Sequence, residues 1–341
     1  MTTNFLYNSI MQGQIYKIHS DFYYVDNGEN TYECKIREVL KKRKEKIFVG
    51  DFVEFTDGVI ENVLARKNYI PRPSAANIDQ IIIVSALKEP DLDLNQLNRY
   101  IALAKYYNIP VKLCFNKDDL LSPPDFLASV YAGFEIVFTS AIEQNGLEPF
   151  QKLLEGKMTV LCGTSGVGKS SLINAMTSGL NLKTKPVSEK TLRGVHTTRH
   201  CEIIKITPLV KGGAGGDFST RVVDTPGFSN VKFDFLLPQE VSGLFEEFAQ
   251  YDCKFSNCLH LTESGCGVLE NLDEISPSRY ESYLQFVEEA RAYKEKVKYE
   301  GTKTETAQKI SGTRSAAKIS EKKRQSARNT AKQKLYKEIE G

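Results

Sequence analysis

At 341 residues, 41% hydrophobic and 26% charged, the chain is too long for one ordinary core and has the composition of a soluble globular protein of two or three domains. No run of eighteen apolar residues could span a bilayer, and the opening MTTNFLYNSIMQGQ lacks the basic region and apolar run of a secretory signal, so a cytoplasmic protein with no membrane partner is expected. Net charge is only +2, but the segment from Arg291 to Gly341 holds fifteen Lys and Arg against six Glu, so attraction to polyanions must be local.

Residues 13 to about 70 read as short strands rich in aromatic and β-branched residues: GQIYKIH, DFYYVDN, TYECKIREV, GDFVEF and GVIENVLARKNYI. Five strands in so short a stretch predict an all-β OB-type barrel over 1–72, with KKRKEK (41–46) as a basic loop on its rim. After PRPSAANID the pattern changes to continuous apolar strands alternating with helices: QIIIVSAL, LNQLNRYIALAKYYN, PVKLCFN, PPDFLASVYA and FEIVFTS, followed by MTVLCGTSG, LINAMTSGL, HCEIIKI and RVVDTPG. This predicts a parallel α/β sheet covered on both faces over 73–231. Cys114 and Cys162 fall inside such strands and read as small core residues. From 232 to 300 the chain is mainly helical with one cysteine cluster, and 301–341 is a basic tail poor in large apolar residues, expected to be disordered or helical only on binding.

Gly163-Thr164-Ser165-Gly166-Val167-Gly168-Lys169-Ser170 follows an apolar strand and opens the helix beginning SSLINAM, with Ser171 next in line. In that context glycines let backbone amides curl round phosphates, Lys169 reaches the β- and γ-phosphates, and Ser170 holds Mg2+. RVVDTPG places Asp224 at a strand end, suited to a magnesium-bound water, with the Gly227 amide facing the γ-phosphate. RGVHTTR (193–199) lies between them as a polar switch segment, where Thr197 or Thr198 could reach Mg2+ and spacing does not choose.

Asn116-Lys117-Asp118-Asp119 ends a buried strand, and Ser140-Ala141 ends the next. Asp119 is suited to accept from guanine N1 and its exocyclic amine, Asn116 to brace the loop, and the Ala141 amide to face O6. All parts of a GTP site are present, but the base-reading half precedes the phosphate loop.

Cys253-x4-Cys258-x-His260-x5-Cys266 offers three thiolates and an imidazole, a full tetrahedral set for one structural Zn2+ with no position left open for catalysis. Seven cysteines in all would leave one unpaired in a disulfide framework. Phe228 follows DTPG where a glutamine would orient the attacking water, and His196 is the best substitute in that neighbourhood.

Taken together, the barrel with VGD and VLARKNYIPRPSAANIDQIIIV, then NKDD, TSGVGKSSLIN, RGVHTTR, DTPGF and CKFSNCLH with Cys266 resemble the ribosome small-subunit-dependent GTPase A family, a circularly permuted GTPase, from about Gly13 to about Ser282. The resemblance implies an OB barrel, a permuted GTPase domain and a zinc-binding domain. It further implies a monomer that binds the small ribosomal subunit and its rRNA, assists late maturation, and hydrolyses GTP to GDP with stimulation by the subunit. It carries His196 over as the catalytic histidine and Thr198 as the switch threonine that reaches Mg2+. Arg199, in place of a third threonine, and the glycine-rich insertion KGGAGGD from Lys211 depart from the family pattern, and the basic tail lies outside it. The competing expectation from Phe228 and the barrel is a nucleotide-gated RNA-binding module with negligible turnover.

Overall fold

The computed structural model describes residues 10–42, 46–71, 74–177, 201–206, 220–224 and 231–300. The chain divides into two compact units, Met1–Val231 and Lys232–Gly341.

The first unit begins with five strands: β1 (Met11–His19), β2 (Phe22–Asp26), β3 (Thr31–Ile36), β4 (Phe52–Thr56) and β5 (Val59–Val63). They hydrogen-bond in the order β1-β2-β3-β5-β4, and β4 returns to β1, closing a small barrel. Alternation along each strand turns Ile15, Val25, Cys34, Val53, Phe55 and Ile60 into its interior, which removes the free edges of an open sheet. Two local features were not anticipated. Part of the expected basic loop is a helical turn, α1 (Glu38–Lys42), whose Leu40 plugs the barrel. The last expected strand ends early at Val63, and β6 (Tyr69–Pro71) and β7 (Ser74–Ala76) pair as an antiparallel hairpin.

Arg66, in the stretch between β5 and that hairpin, reaches back to the fully buried Asp51 through Nε–Oδ1 at 2.6 Å and Nη2–Oδ2 at 2.8 Å, with its guanidinium over the Phe48 ring at 4.7 Å. Planar bidentate pairing with aromatic stacking is specific to arginine, and it fixes how the chain leaves the barrel.

The α/β part follows as β8 (Gln80–Ala86), α2 (Leu94–Tyr106), β9 (Val111–Asn116), α3 (Phe126–Val130), β10 (Glu135–Thr139), α4 (Leu147–Leu154), β11 (Met158–Cys162), α5 (Lys169–Met176), β12 (Glu202–Ile206) and β13 (Thr220–Asp224). Strand order is β10-β9-β8-β11-β13-β12, parallel except for the antiparallel β12. Residues 81–84 of β8 alternate faces, Ile81 and Ile83 packing with Leu97, Ile101 and Phe115, Ile82 and Val84 with Phe150, Leu161 and Leu172. A strand apolar on both faces is what a helix-covered parallel sheet requires. Order reverses between β8 and β11, which places a ligand crevice beyond their carboxyl ends.

The second unit contains α6 (Pro238–Ser242), the cysteine-bearing loop, α7 (Gly267–Glu270) and the long α8 (Pro277–Glu300). Its core is aromatic: Phe233 packs on Phe286 at 4.7 Å, and Phe245, Phe248 and Tyr283 interlock. Arg279 closes this core through two hydrogen bonds to Glu247, 2.6 and 3.0 Å, above the Phe245 ring.

Candidate functional site

The phosphate loop leaves β11 at Gly163 and enters α5 at Lys169. Gly163 and Gly168 have φ of +150° and +95°, and a Cβ on either would fall 2.1 Å from the Val84 carbonyl oxygen or 2.2 Å from Asn116 Nδ2. Only glycine meets both demands. Lys169 Nζ donates to the Gly163 and Thr164 carbonyls at 2.8 and 2.9 Å, holding the ammonium over the loop. Ser170 and Ser171 are half-buried in the first turn of α5, and Val167 is buried beneath the loop.

Asn116 ties the loop to the base-reading strands. It is buried; its Nδ2 donates to the Val167 carbonyl at 2.8 Å, and its Oδ1 accepts from Thr139 Oγ1 at 3.0 Å. A single amide thereby joins β9, β10 and the phosphate loop. Lys117 takes a left-handed φ of +66° and donates to the Glu89 carbonyl. Asp118 accepts from Asn145 at 2.8 Å. Asp119 presents a buried Oδ1 with no protein partner, as does the second oxygen of Asp118. Because a buried carboxylate oxygen without a donor is costly, this is the chemistry expected where a ligand supplies the donors. Ser140 is buried at the start of the next loop, its amide donating to the Asn145 carbonyl at 3.1 Å and its hydroxyl accepting from the Glu143 amide at 3.0 Å; Ala141 follows.

Asp224 ends β13 opposite Glu202 of β12. His196, Thr197, Thr198, Arg199, the 211–217 insertion, Gly227, Phe228 and the tail from 301 lie outside the described residues. Thr139, the brace behind Asn116, and Asn145, the partner of Asp118, were missed by sequence reasoning. Nothing local to either residue points to the role; it arises only when two strand ends meet.

In the second unit Cys253, Cys258, His260 and Cys266 bring four ligand atoms within 4.8 Å of one another. His260 Nδ1 lies 3.5 Å from Cys253 Sγ and 3.3 Å from Cys266 Sγ, and the two sulfurs are 3.8 Å apart, well beyond a disulfide bond. His260 is held in a left-handed conformation by Tyr280, whose hydroxyl donates to its carbonyl at 2.7 Å, while Tyr283 does the same for Leu259 at 2.6 Å. Glu263 caps the turn by accepting from the amides of Leu259, Leu261 and Thr262. Burial alone would raise its carboxyl, yet these amides outweigh it and carry the pKa down to about 2. Burial pushes the Cys258 thiol up to about 12; a cation at the centre of the four ligands would reverse that by favouring thiolate. The donor set fits a metal, and three sulfurs with one imidazole suit zinc in particular.

Two family descriptions match adjoining stretches of the chain: RsgA N-terminal domain over residues 12–62 and RsgA GTPase over 63–234. It is 39% identical over 295 residues to the Small ribosomal subunit biogenesis GTPase RsgA of Alkaliphilus metalliredigens, covering 82% of this chain and 98% of that protein. The Thermotoga maritima protein of the same name is 38% identical over 289 residues, covering 80% and 95%. Among solved structures, YjeQ from Thermotoga maritima superposes with a TM-score of 0.69 at 35% identity, covering 83% of this chain and 99% of that one. YloQ, described as a circularly permuted GTPase, superposes at 0.66 with 27% identity, covering 85% and 98%.

Proposed function

Because the chain belongs to the RsgA GTPase family and is therefore a GTP hydrolase, we propose that it acts on the small ribosomal subunit, assisting late maturation and coupling GTP hydrolysis to contact with that particle. The single observation that carries the nucleotide assignment is the orphaned, buried Asp119 oxygen beside a phosphate loop locked to it through Asn116. Guanine offers N–H donors where that carboxylate needs them; adenine has an acceptor at N1 and would leave it unpaired.

In this reading Asn116, Lys117, Asp119, Ser140 and Ala141 hold the base. Residues 163–171 hold the phosphates, and Ser170, Thr198, Asp224 and Gly227 address Mg2+ and the γ-phosphate. Lys169 neutralises charge that grows on the β–γ bridging region as the bond breaks. His196 orients the attacking water in place of a glutamine, and the site reaches full rate only when the ribosomal particle orders the segment that bears it. Boundaries at 1–72, 73–231, 232–300 and 301–341 separate barrel, GTPase domain, metal-binding domain and tail.

The barrel supplies RNA contacts, supported by Lys35 over the Phe22 ring at 5.1 Å and by the basic run that begins with Lys41 and Lys42 in the last turn of α1. One Zn2+ held by the Cys3His set stabilises the second unit without taking part in chemistry. No helix among the described residues is long and apolar enough to cross a membrane, and a cytoplasmic monomer is the form this reading expects.

The test is steady-state GTP hydrolysis alone and with small subunits, large subunits or bare RNA. Stimulation of at least about ten-fold is expected with small subunits only, abolished by Lys169→Ala and strongly reduced by His196→Ala. A rate that no ribosomal particle raises would refute the assignment.

A further inference from the structure

The barrel and the GTPase sheet meet at a seam that includes two cross-strand pairs, beside the packing of Tyr16 and Ile18 of β1 against the apolar cluster that holds Ile203 of β12. On the barrel, Gln14 of β1 stands directly opposite Asp26 of β2; on the sheet, Lys205 of β12 stands directly opposite Arg221 of β13. The pairs face each other. Arg221 Nη1 donates to Gln14 Oε1 at 2.8 Å, and Lys205 forms an ion pair with Asp26. Gln14 is buried, and its amide donates to the Gly50 carbonyl at 3.0 Å, which Asn77 also reaches at 2.9 Å. Partial burial would raise the Asp26 carboxyl, yet Lys205, the Gly28 amide and Arg221 together hold it below the ordinary carboxylate range. Among the described residues, backbone pairing across the seam consists of one register position, Lys17 with Glu202, with their side chains paired at 3.1 Å. Side chains rather than a ladder of backbone hydrogen bonds therefore fix how the barrel addresses the sheet.

Both ends of this seam lead somewhere useful. Asp224 lies three residues beyond Arg221 on the same strand, roughly 10 Å away at ~3.3 Å per residue, and Phe22 lies four residues before Asp26 on β2. We propose that Arg221 and Lys205, seated on the Gln14–Asp26 pair, are positioning residues through which RNA on the barrel sets the placement of Asp224 in the GTPase site. The inference rests on the reading given above, that the barrel contacts RNA of the small subunit and Asp224 addresses Mg2+. A ligand that changes the tilt of β2 moves Asp26 and Gln14 together, and their partners lie on the two strands that end at, or begin opposite, Asp224. For affinities, coupling of this kind works in both directions: if RNA alters the preference for GTP over GDP, exchange of the nucleotide must alter RNA affinity by the same factor.

The test uses the full-length chain with purified small ribosomal subunits and reads GTP hydrolysis with and without them, together with subunit affinity in the GDP state and with a non-hydrolysable GTP analogue. In Asp26→Asn, Lys205→Gln and Arg221→Met, the subunit-stimulated rate should fall at least about five-fold while the unstimulated rate and the KM for GTP stay within about two-fold. The ratio of subunit affinities in the two nucleotide states should shrink toward one, and Arg221→Lys should restore part of the stimulation. Lys205→Gln alters a half-exposed side chain, so it keeps the test available where Arg221→Met fails to fold. Stimulation at the unmutated level, or stimulated and unstimulated rates falling together in every folded variant, would overturn the coupling. An unmutated chain that small subunits fail to stimulate would instead refute the parent reading, and the coupling with it.

Discussion

Replacing Asn116 by alanine tests the joint that makes one site out of three chain segments. The amide makes two buried hydrogen bonds, donating to Val167 O at 2.8 Å and accepting from Thr139 Oγ1 at 3.0 Å. Alanine leaves the Val167 carbonyl without its donor, a penalty of about 1–3 kcal/mol. The Thr139 hydroxyl loses less, about 1 kcal/mol, since Cys114 Sγ at 3.4 Å remains as a weak partner. The total is about 2–4 kcal/mol, a large share of a stability that is typically ~5–15 kcal/mol. Urea unfolding followed by far-UV circular dichroism should show the midpoint of the first unit lowered by about 1 M, taking a slope of ~3 kcal/mol/M. GDP affinity, read by a fluorescent analogue, should fall as well because the phosphate loop loses its tie to β9. A midpoint shift below about 0.2 M with unchanged GDP affinity would show that the amide is replaceable by water and that the three-way joint carries no energy.

Asp119→Asn should reverse base choice, because an amide donates where the carboxylate accepts. GTP affinity should fall by about a hundred-fold or more, while xanthine nucleotides, which offer a carbonyl at that edge, should bind better than to the unmutated chain; competition binding reads both. Glu263 has a folded pKa depressed to about 2, so its stabilisation is fully present above the unfolded value of ~4.3 and is lost as pH falls toward about 2. Glu263→Gln should flatten that acid limb and cost about 1–3 kcal/mol at neutral pH, measured by denaturation of the second unit at a series of pH values. Metal analysis should return one zinc per chain. Chelation or Cys258→Ser should lower the melting temperature of that unit and leave GDP binding to the first unit unchanged. Arg66→Met should cost about 3–5 kcal/mol by stranding the fully buried Asp51 carboxylate, with Asp51→Ala costing less because the Arg66 side chain is partly exposed, as thermal unfolding of the pair would show.

Features whose chemistry depends on neighbours in sequence were legible from the residues alone. The glycine spacing from Gly163 to Gly168, the strand-ending Asn116–Asp119 and the close spacing of Cys253 to Cys266 each impose a local backbone demand that few other functions share. The closed barrel was legible for a similar reason, since short alternating strands broken by Gly, Asn and Asp admit few other folds. Features formed by distant segments were not. Helix α4 begins at the left-handed Gly146 without a side-chain cap, so its start is marked only by Glu148 and Pro149 in the first turn. The β6–β7 hairpin was not legible because Tyr69 and Ile70 read as the end of the last barrel strand, and Pro71 is tolerated there because this two-stranded ribbon has edges for it. Thr139, Asn145, Gln14 and Arg221 act only through partners 23 to 207 positions away, and single-residue chemistry gives no hint of that.

The strand order also has a history on the chain's own path out of the machine that makes it. Residues 81–84 of β8 are buried on both faces, yet the partner that completes β8, β11, begins only at Met158. The roughly seventy residues between them take on the order of 4–14 s to synthesise at ~5–20 residues per second. For that interval the nascent chain carries a closed barrel beside a half-sheet whose apolar edge strand invites pairing with other chains. The base-reading loops emerge first and wait for the Val167 carbonyl, so nucleotide capture cannot nucleate this half, as it could in a chain whose phosphate loop comes first. Permutation therefore shifts the moment of vulnerability to the middle of translation, and makes the barrel, rather than bound nucleotide, the first folded support on which the sheet is laid.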